Sequence, residues 1–275
     1  MVSELRPRGI GEILDSSVAL YRARFTRLVR VAAVVVIPVQ VLSAIVLLSA
    51  QPDTFTVNAR GTVTPQYASP TTQLAAFVVI AVVGVLSTAF IVAMCARLVG
   101  DAYIERTSEA REAFQAVRPR LFAIVGTALI VVFTEGLGFL ACFVGALVPL
   151  TFFAVAIPAL ILEGIGVSAA IGRSVSLTKS HVWHVLGLVL TTQLLATVLN
   201  FSLAAAAQLL VHSSGSTAAA VIGQSIANVI AGVLTTPFVA TATVILYFDL
   251  RVRDEAFDVQ LLMQRNDART TRPAV

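Results

Sequence analysis

The stretch SVALYRARFTRLV, residues 17–29, runs into a long apolar segment, and SVSLTKSHVWHVLG, residues 174–187, opens the same way and runs into another. In the N-terminal stretch Ile10, Ile13, Leu14, Ser17, Val18, Tyr21 and Phe25 recur at spacings of three and four, which predicts one face of a helix. Adding 157 to each number gives Val167, Ala170, Ile171, Ser174, Val175, Thr178 and Val182, again mostly apolar or small. Adding 96 gives Arg106 and Glu109, where the pattern fails, and then Ala110, Ala113, Phe114, Val117 and Leu121, where it holds. The basic positions travel too: Arg22 matches Arg118 and Lys179, and Arg24 matches Arg120 and His181. A helix with one apolar and one basic face lies in the membrane interface, its apolar side at the acyl boundary and its charges at the headgroups. The chain therefore reads as three repeats of interfacial helix, span and return span, all entering from one side, which makes them parallel rather than inverted.

Composition agrees with a membrane class. The chain is 57% hydrophobic and 12% charged, with a mean hydropathy of +0.90, whereas soluble domains carry about 25% charged residues. Crossing the hydrocarbon takes about 20 helical residues, and six segments are long enough: 28–50, 73–96, two within 121–162, 185–211 and 217–248. The block from Leu121 to Leu162 divides into two spans near Cys142 to Gly145, where Gly136, Gly138, Gly145 and Pro149 favour a tight hairpin. Pro38, Pro158 and Pro237 fall inside spans and predict kinks rather than breaks. The fold class is thus all-α and polytopic, organised as an N-terminal interfacial helix over 1–27, a six-span domain over 28–248 and a C-terminal tail over 249–275.

Charge placement sets the expected orientation. Of 19 Lys and Arg, only Arg60 falls in the outer connections 51–72, 142–146 and 212–216. The remaining 18 lie in the N-terminal segment through the first turn of the first span, in the connections 97–120 and 163–184, and after the last span. By the positive-inside rule both termini are cytoplasmic, as an even span count requires. The net charge of +4 then faces anionic lipid headgroups of the inner membrane, and nucleic acid is not implied. A cleaved signal peptide is not expected: its basic region would be about 27 residues long, and cleavage after Ala50 would place Leu48 at minus three. The Pro-, Thr- and Gln-containing loop from Gln51 to Thr72 reads as extended or disordered.

GIGEILDSSVALYRARF (Gly9 to Phe25), ILEGIGVSAAIGRSVSLTKSHVWHVLG (Ile161 to Gly187) and LYFDLRVRDEAFD (Leu246 to Asp258) resemble the bacterial six-span family called the glycerophosphodiester phosphodiesterase membrane domain. The resemblance covers nearly the whole chain, through motifs of moderate specificity. It implies a polytopic inner-membrane domain with no established activity of its own. Some members carry this domain fused to a soluble phosphodiesterase barrel, whose metal-binding Glu and Asp and paired catalytic His have no counterpart here.

Chemistry-bearing residues are sparse. Glu135 lies about two thirds of the way across the third span, where an ionised group costs about 2.5 to 3.5 kcal/mol unless paired or wetted. Gln193, Asn200 and Asn228, with Gln40, Gln208 and Gln224, are placed to line a polar crevice with it, or to act as interhelical hydrogen-bond glue. On the basic side Glu163 and Arg173, with Asp249, Arg251 and Arg253, form a candidate clasp between span ends and interfacial helices. Asp249 with Arg253, and Arg251 with Glu255, sit at pairing distance on a helix. His181 and His184 are one turn apart without a carboxylate beside them in sequence, so a metal site is not expected. His212, beside Ser213 in HSSGS, falls in a polar outer turn with no base or oxyanion site specified. The glycine loops GIGEIL and GIGVSA lack the third glycine of a dinucleotide site, and no phosphate-binding GxxxxGK[ST] occurs, so no cofactor is expected. Cys95 and Cys142 fall near opposite ends of their spans and should not pair.

Two functional readings follow. One is a non-enzymatic scaffold or accessory subunit, whose spans rich in small residues organise lipid or a membrane or cytoplasmic protein partner. The other is a small transporter, permease or lipid-handling protein that uses Glu135 in an intramembrane crevice. A broken helix or a cavity reaching Glu135 favours the second, and a dry, closed bundle favours the first.

Overall fold

The computed structural model describes residues 8–49, 54–57, 63–66, 70–103, 110–141, 143–211 and 217–255. Among them, six helical segments are long and apolar enough to cross a membrane: Phe25–Val46, Gln73–Asp101, Ala110–Ala141, Val144–Leu162, Val182–Leu209 and Ile222–Asp254. The helices are α1 (Ile10–Ala23), α2 (Phe25–Ser49), α3 (Pro70–Tyr103), α4 (Ala110–Val117), α5 (Leu121–Ala141), α6 (Leu147–Phe152), α7 (Ala156–Leu162), α8 (Val167–Thr178), α9 (Val182–Val211) and α10 (Thr217–Glu255). Short 3-10 turns at Arg118–Arg120 and Phe143–Ala146 lead into α5 and α6.

The repeat seen in the sequence fixes where helices begin. The spanning helices α2, α5 and α9 start at Phe25, Leu121 and Val182, offset by the same 96 and 157 residues as the motif. The lead-in helices α1 and α8 both start after an extended glycine, Gly9 at φ −69°, ψ 164° and Gly166 at φ −79°, ψ 173°. The Gly9 N–H donates to Glu12 Oε2 at 3.1 Å, satisfying a donor that α1 leaves free.

Part of the motif face, expected at the acyl boundary, packs on protein, while Val18, Phe25 and Phe114 on the same face stay exposed. Ile13 and Ser17 in α1, Ala113 and Val117 in α4, and Ala170, Ser174 and Thr178 in α8 are wholly buried. Helix α1 packs on α10 and α9, and α8 on α7 and α5. The reason lies in residue size: Ala, Ser and Thr on this face let backbones approach closely, and their hydroxyls find carbonyls at short range. Ser17 Oγ donates to Ile13 O at 2.6 Å. Of the basic residues that travel with the motif, Arg22, Arg118 and Lys179 remain exposed on the opposite side.

Three further expectations are corrected. The fourth span is broken, not merely kinked: α6 ends at Phe152, a turn covers 153–155, and α7 restarts at Ala156. Pro158 has no N–H to give the Ala154 carbonyl. The Phe152 carbonyl accepts instead from Ser174 Oγ at 2.7 Å and Thr178 Oγ1 at 3.4 Å, both on α8. Pro38 and Pro237, by contrast, sit inside the continuous helices α2 and α10. The connection between α2 and α3 carries a short antiparallel hairpin, β1 (Thr54–Val57) with β2 (Val63–Gln66), Thr54 facing Gln66 and Val57 facing Val63. Thr and Val favour such strands. Finally, α10 runs past the expected span end at 248 to Glu255, and Asp249, Arg251 and Arg253 stand on that continuing helix.

Helix α10 forms the axis of the bundle. It packs against α1, α2, α3 and α9 and touches α7 and α8. Half of its most apolar window is buried, against 17 to 22% for the first, second, third and fifth spans. Tyr247, Leu246 and Leu250 at its basic end are fully buried. At the other face the third and fourth spans are joined by backbone contact, since a Cβ on Gly138 would lie 2.7 Å from the Gly145 carbonyl oxygen. Gly138→Ala should therefore force the hairpin apart and cost about 1 to 3 kcal/mol, lowering the melting temperature of the detergent-solubilised protein. Gly136→Ala, where a Cβ meets nothing within 4 Å, should leave it unchanged.

Candidate functional site

A cavity of about 550 Å³ lies between α3, α5, the broken fourth span, α9 and α10. Its wall is largely apolar, as is usual for small-molecule sites, whose volumes run from about 300 to 1,000 Å³. The polar groups facing it come from four helices: Thr88 on α3, Glu135 on α5, Thr192 and Gln193 on α9, and Thr243 on α10. The break contributes Phe153, Ala154 and Ile157. Gly84 also faces it, and a Cβ there would meet nothing within 4 Å.

The hydrogen bonding of this wall is lopsided. Each threonine gives its proton to its own helix: Thr88 to Gly84 O at 3.0 Å, Thr192 to Leu188 O at 2.6 Å and Thr243 to Val239 O at 2.9 Å. Their oxygens keep only acceptor capacity. Glu135 and Gln193 make no hydrogen bond or ion pair with any other described residue. Two strong polar side chains, the partly buried Glu135 and the exposed Gln193, thus border one largely apolar cavity without a partner among the described residues.

The sequence grouped Glu135, Gln193, Asn200 and Asn228 as one candidate crevice, and the structure divides them. Only Glu135 and Gln193 share the cavity. Asn200 Nδ2 donates to Ala196 O at 2.7 Å and reaches Thr235 Oγ1 at 3.5 Å, tying α9 to α10. Asn228 Oδ1 accepts from Gln224, whose Oε1 accepts from Gln208, each at 3.1 Å. This amide chain is the interhelical glue that was the alternative role for these residues.

The candidate clasp is also two structures. In one, Arg173 Nε donates to Glu163 Oε1 at 2.8 Å, and the buried Tyr247 hydroxyl donates to the same oxygen at 2.7 Å. Gly164, at φ +74°, turns the chain between α7 and α8 so that Glu163 meets Arg173. Arg251 lies over the Tyr247 ring at 5.8 Å. The side chain of Glu255, its expected partner, lies outside the described residues. In the other, the nearly buried Asp249 accepts from the Arg8 N–H and from Arg253 Nε, both at 2.7 Å, with His184 Nε2 at 3.4 Å. Arg253 Nη2 closes the ring by donating to the Arg8 carbonyl at 2.6 Å. His181 Nε2 stands 3.3 Å from Asp254.

Sequence reading missed Tyr247, Arg8 and the carboxylate partners of the two histidines, because each pairing joins residues more than 60 positions apart and carries no local signal. No group of three or more His, Cys, Asp or Glu among the described residues is arranged to hold a metal ion. Cys95 is buried, while Cys142, His212 and the HSSGS turn lie outside the described residues. No family model matches the chain, nor does any curated protein or solved structure.

Breaking either clasp should destabilise the bundle. Asp249→Ala leaves Arg253 and a backbone N–H without their acceptor and should cost about 3 to 5 kcal/mol, read as lost thermal stability in detergent. Glu163→Arg alone should lower folded yield, and adding Arg173→Glu should recover part of it; no recovery would count against the Glu163 clasp.

Proposed function

We propose that this chain is a small intramembrane binding protein, a transporter, permease or lipid-handling protein whose ligand occupies the cavity at Glu135 and Gln193. The observation that carries the reading is that these two side chains, unpartnered among the described residues, face one cavity beside the break in the fourth span. Transporter sites are commonly built where a helix is interrupted at membrane depth, since irregular backbone there must line protein or a wet cavity. The scaffold reading draws on the scarcity of charge and of nucleophiles within the spans, and the cavity and the break support its alternative instead.

The protein in this reading binds and moves its ligand without transforming it. It sits in the inner membrane with both termini cytoplasmic, in keeping with the bias of 18 Lys and Arg to one side. Anionic headgroups then contact the exposed Arg22, Arg118 and Lys179. In this reading the two clasps serve to hold the lead-in helices rather than to recruit a protein partner.

The test places a single cysteine at position 135 in a background lacking Cys95 and Cys142. In intact membrane vesicles a small membrane-impermeant thiol reagent should label Glu135→Cys from one side, and adding Gly84→Phe, which fills the cavity, should slow the labelling. Absence of labelling from both sides would point to a sealed bundle and return the scaffold reading.

A further inference from the structure

Resting on the cavity reading above, we propose that the ligand is a lipophilic cation: an apolar body carrying one ammonium or comparable positive group that seats against Glu135.

The argument is one of complementarity. Apart from Gln193, the polar side chains of the wall present acceptors. Glu135, when ionised, offers carboxylate oxygens that can only accept. The hydroxyls of Thr88, Thr192 and Thr243 have given their protons to helix carbonyls. Ala154, whose carbonyl finds no N–H on Pro158, is a lining residue. Gln193 alone can donate as well as accept. No Lys, Arg or His is among the residues that line the cavity, and Glu135 is its one ionisable group.

An anionic ligand would meet a carboxylate of like sign with no cation to offset it, in a medium where charge interactions are weakly screened. A neutral apolar ligand would leave the carboxylate without a partner, so Glu135 would take up a proton and contribute nothing to choosing the ligand. A cation with an apolar body meets both features: its charge pairs with Glu135, and its body covers the wall supplied by Val85, Val131, Phe153 and Ile157. The cavity volume is that of one drug-sized molecule. Because the same carboxylate binds either a proton or the cation, the two compete for it, and acidification weakens cation binding.

The experiment uses the full chain in neutral detergent micelles, with protein-free micelles as the blank. The probes are tetraphenylphosphonium and tetraphenylborate, two ions of nearly the same size and shape and opposite charge, measured by equilibrium dialysis. Tetraphenylphosphonium should bind, and tetraphenylborate should bind at least about tenfold more weakly. Glu135→Gln should weaken the cation by at least about tenfold and abolish its pH dependence, while Glu135→Asp should retain both in part. Gel filtration of each variant checks that it is folded, and Gly84→Phe, which leaves the carboxylate in place, should also reduce binding. Equal binding of both ions, indifferent to Glu135→Gln but lost in Gly84→Phe, would overturn the cation assignment and leave the cavity reading standing. Binding of neither ion would also overturn the assignment, and the labelling of Glu135→Cys then decides separately whether the cavity reading falls with it.

Discussion

A backbone carbonyl that loses its helical N–H inside a bilayer has no bulk water to turn to, and the Phe152 carbonyl is where this chain meets that constraint. The donor that satisfies it is Ser174, reaching from α8 at 2.7 Å. At the equivalent position of the first repeat, Ser17 bonds within its own helix to Ile13, because no break stands beside it. The same residue type in the same register thus closes a helix in one repeat and supports an interrupted one in another. Without the interruption, Phe153 and Ala154 would belong to an ordinary helix face, and the cavity would lose the wall they form.

Electrostatics solves a related problem at the basic end. Two carboxylates there, Glu163 and Asp249, are each held by an arginine and by a further donor, Tyr247 for one and the Arg8 backbone for the other. Buried ion pairs give little net stability unless such extra hydrogen bonds complete them. Both rings of contacts include α10, so they fix the lead-in segments to the axis of the bundle. The cavity is built differently: its carboxylate receives neither an arginine nor a tyrosine. Within one protein the carboxylates at the basic end are paired, and the one at the cavity has no partner among the described residues.

Much of this arrangement was legible in the chain. The six spans follow from apolar length alone, and the repeat register at 25, 121 and 182 follows from the spacing of Ser17, Ala113 and Ser174. Glu135 stood out because a deep ionisable residue is rare. What escaped was set by tertiary contact. The spacing on α1 marks an apolar face, and only the packing of α9 and α10 shows that Ile13 and Ser17 on it are buried in protein while Val18 stays exposed. The break at 153–155 was hidden because a proline in a span is compatible with either a kink or an interruption, and the deciding donor comes from a helix beyond the next turn. Asn200 and Asn228 share an amide group with Gln193 but point to different neighbours, which composition cannot distinguish.

The position of α10 bears on how the protein is made. It is the last of the described helices, yet α1, α2, α3 and α9 all pack on it, so the earlier spans enter the membrane before their common partner has been synthesised. Until then α1 and the carboxylate of Glu163 lack the neighbours that α10 supplies, and the nascent bundle remains open. Arrival of α10 also delivers Asp249 to Arg8, 241 positions upstream, so a single late insertion step closes the bundle.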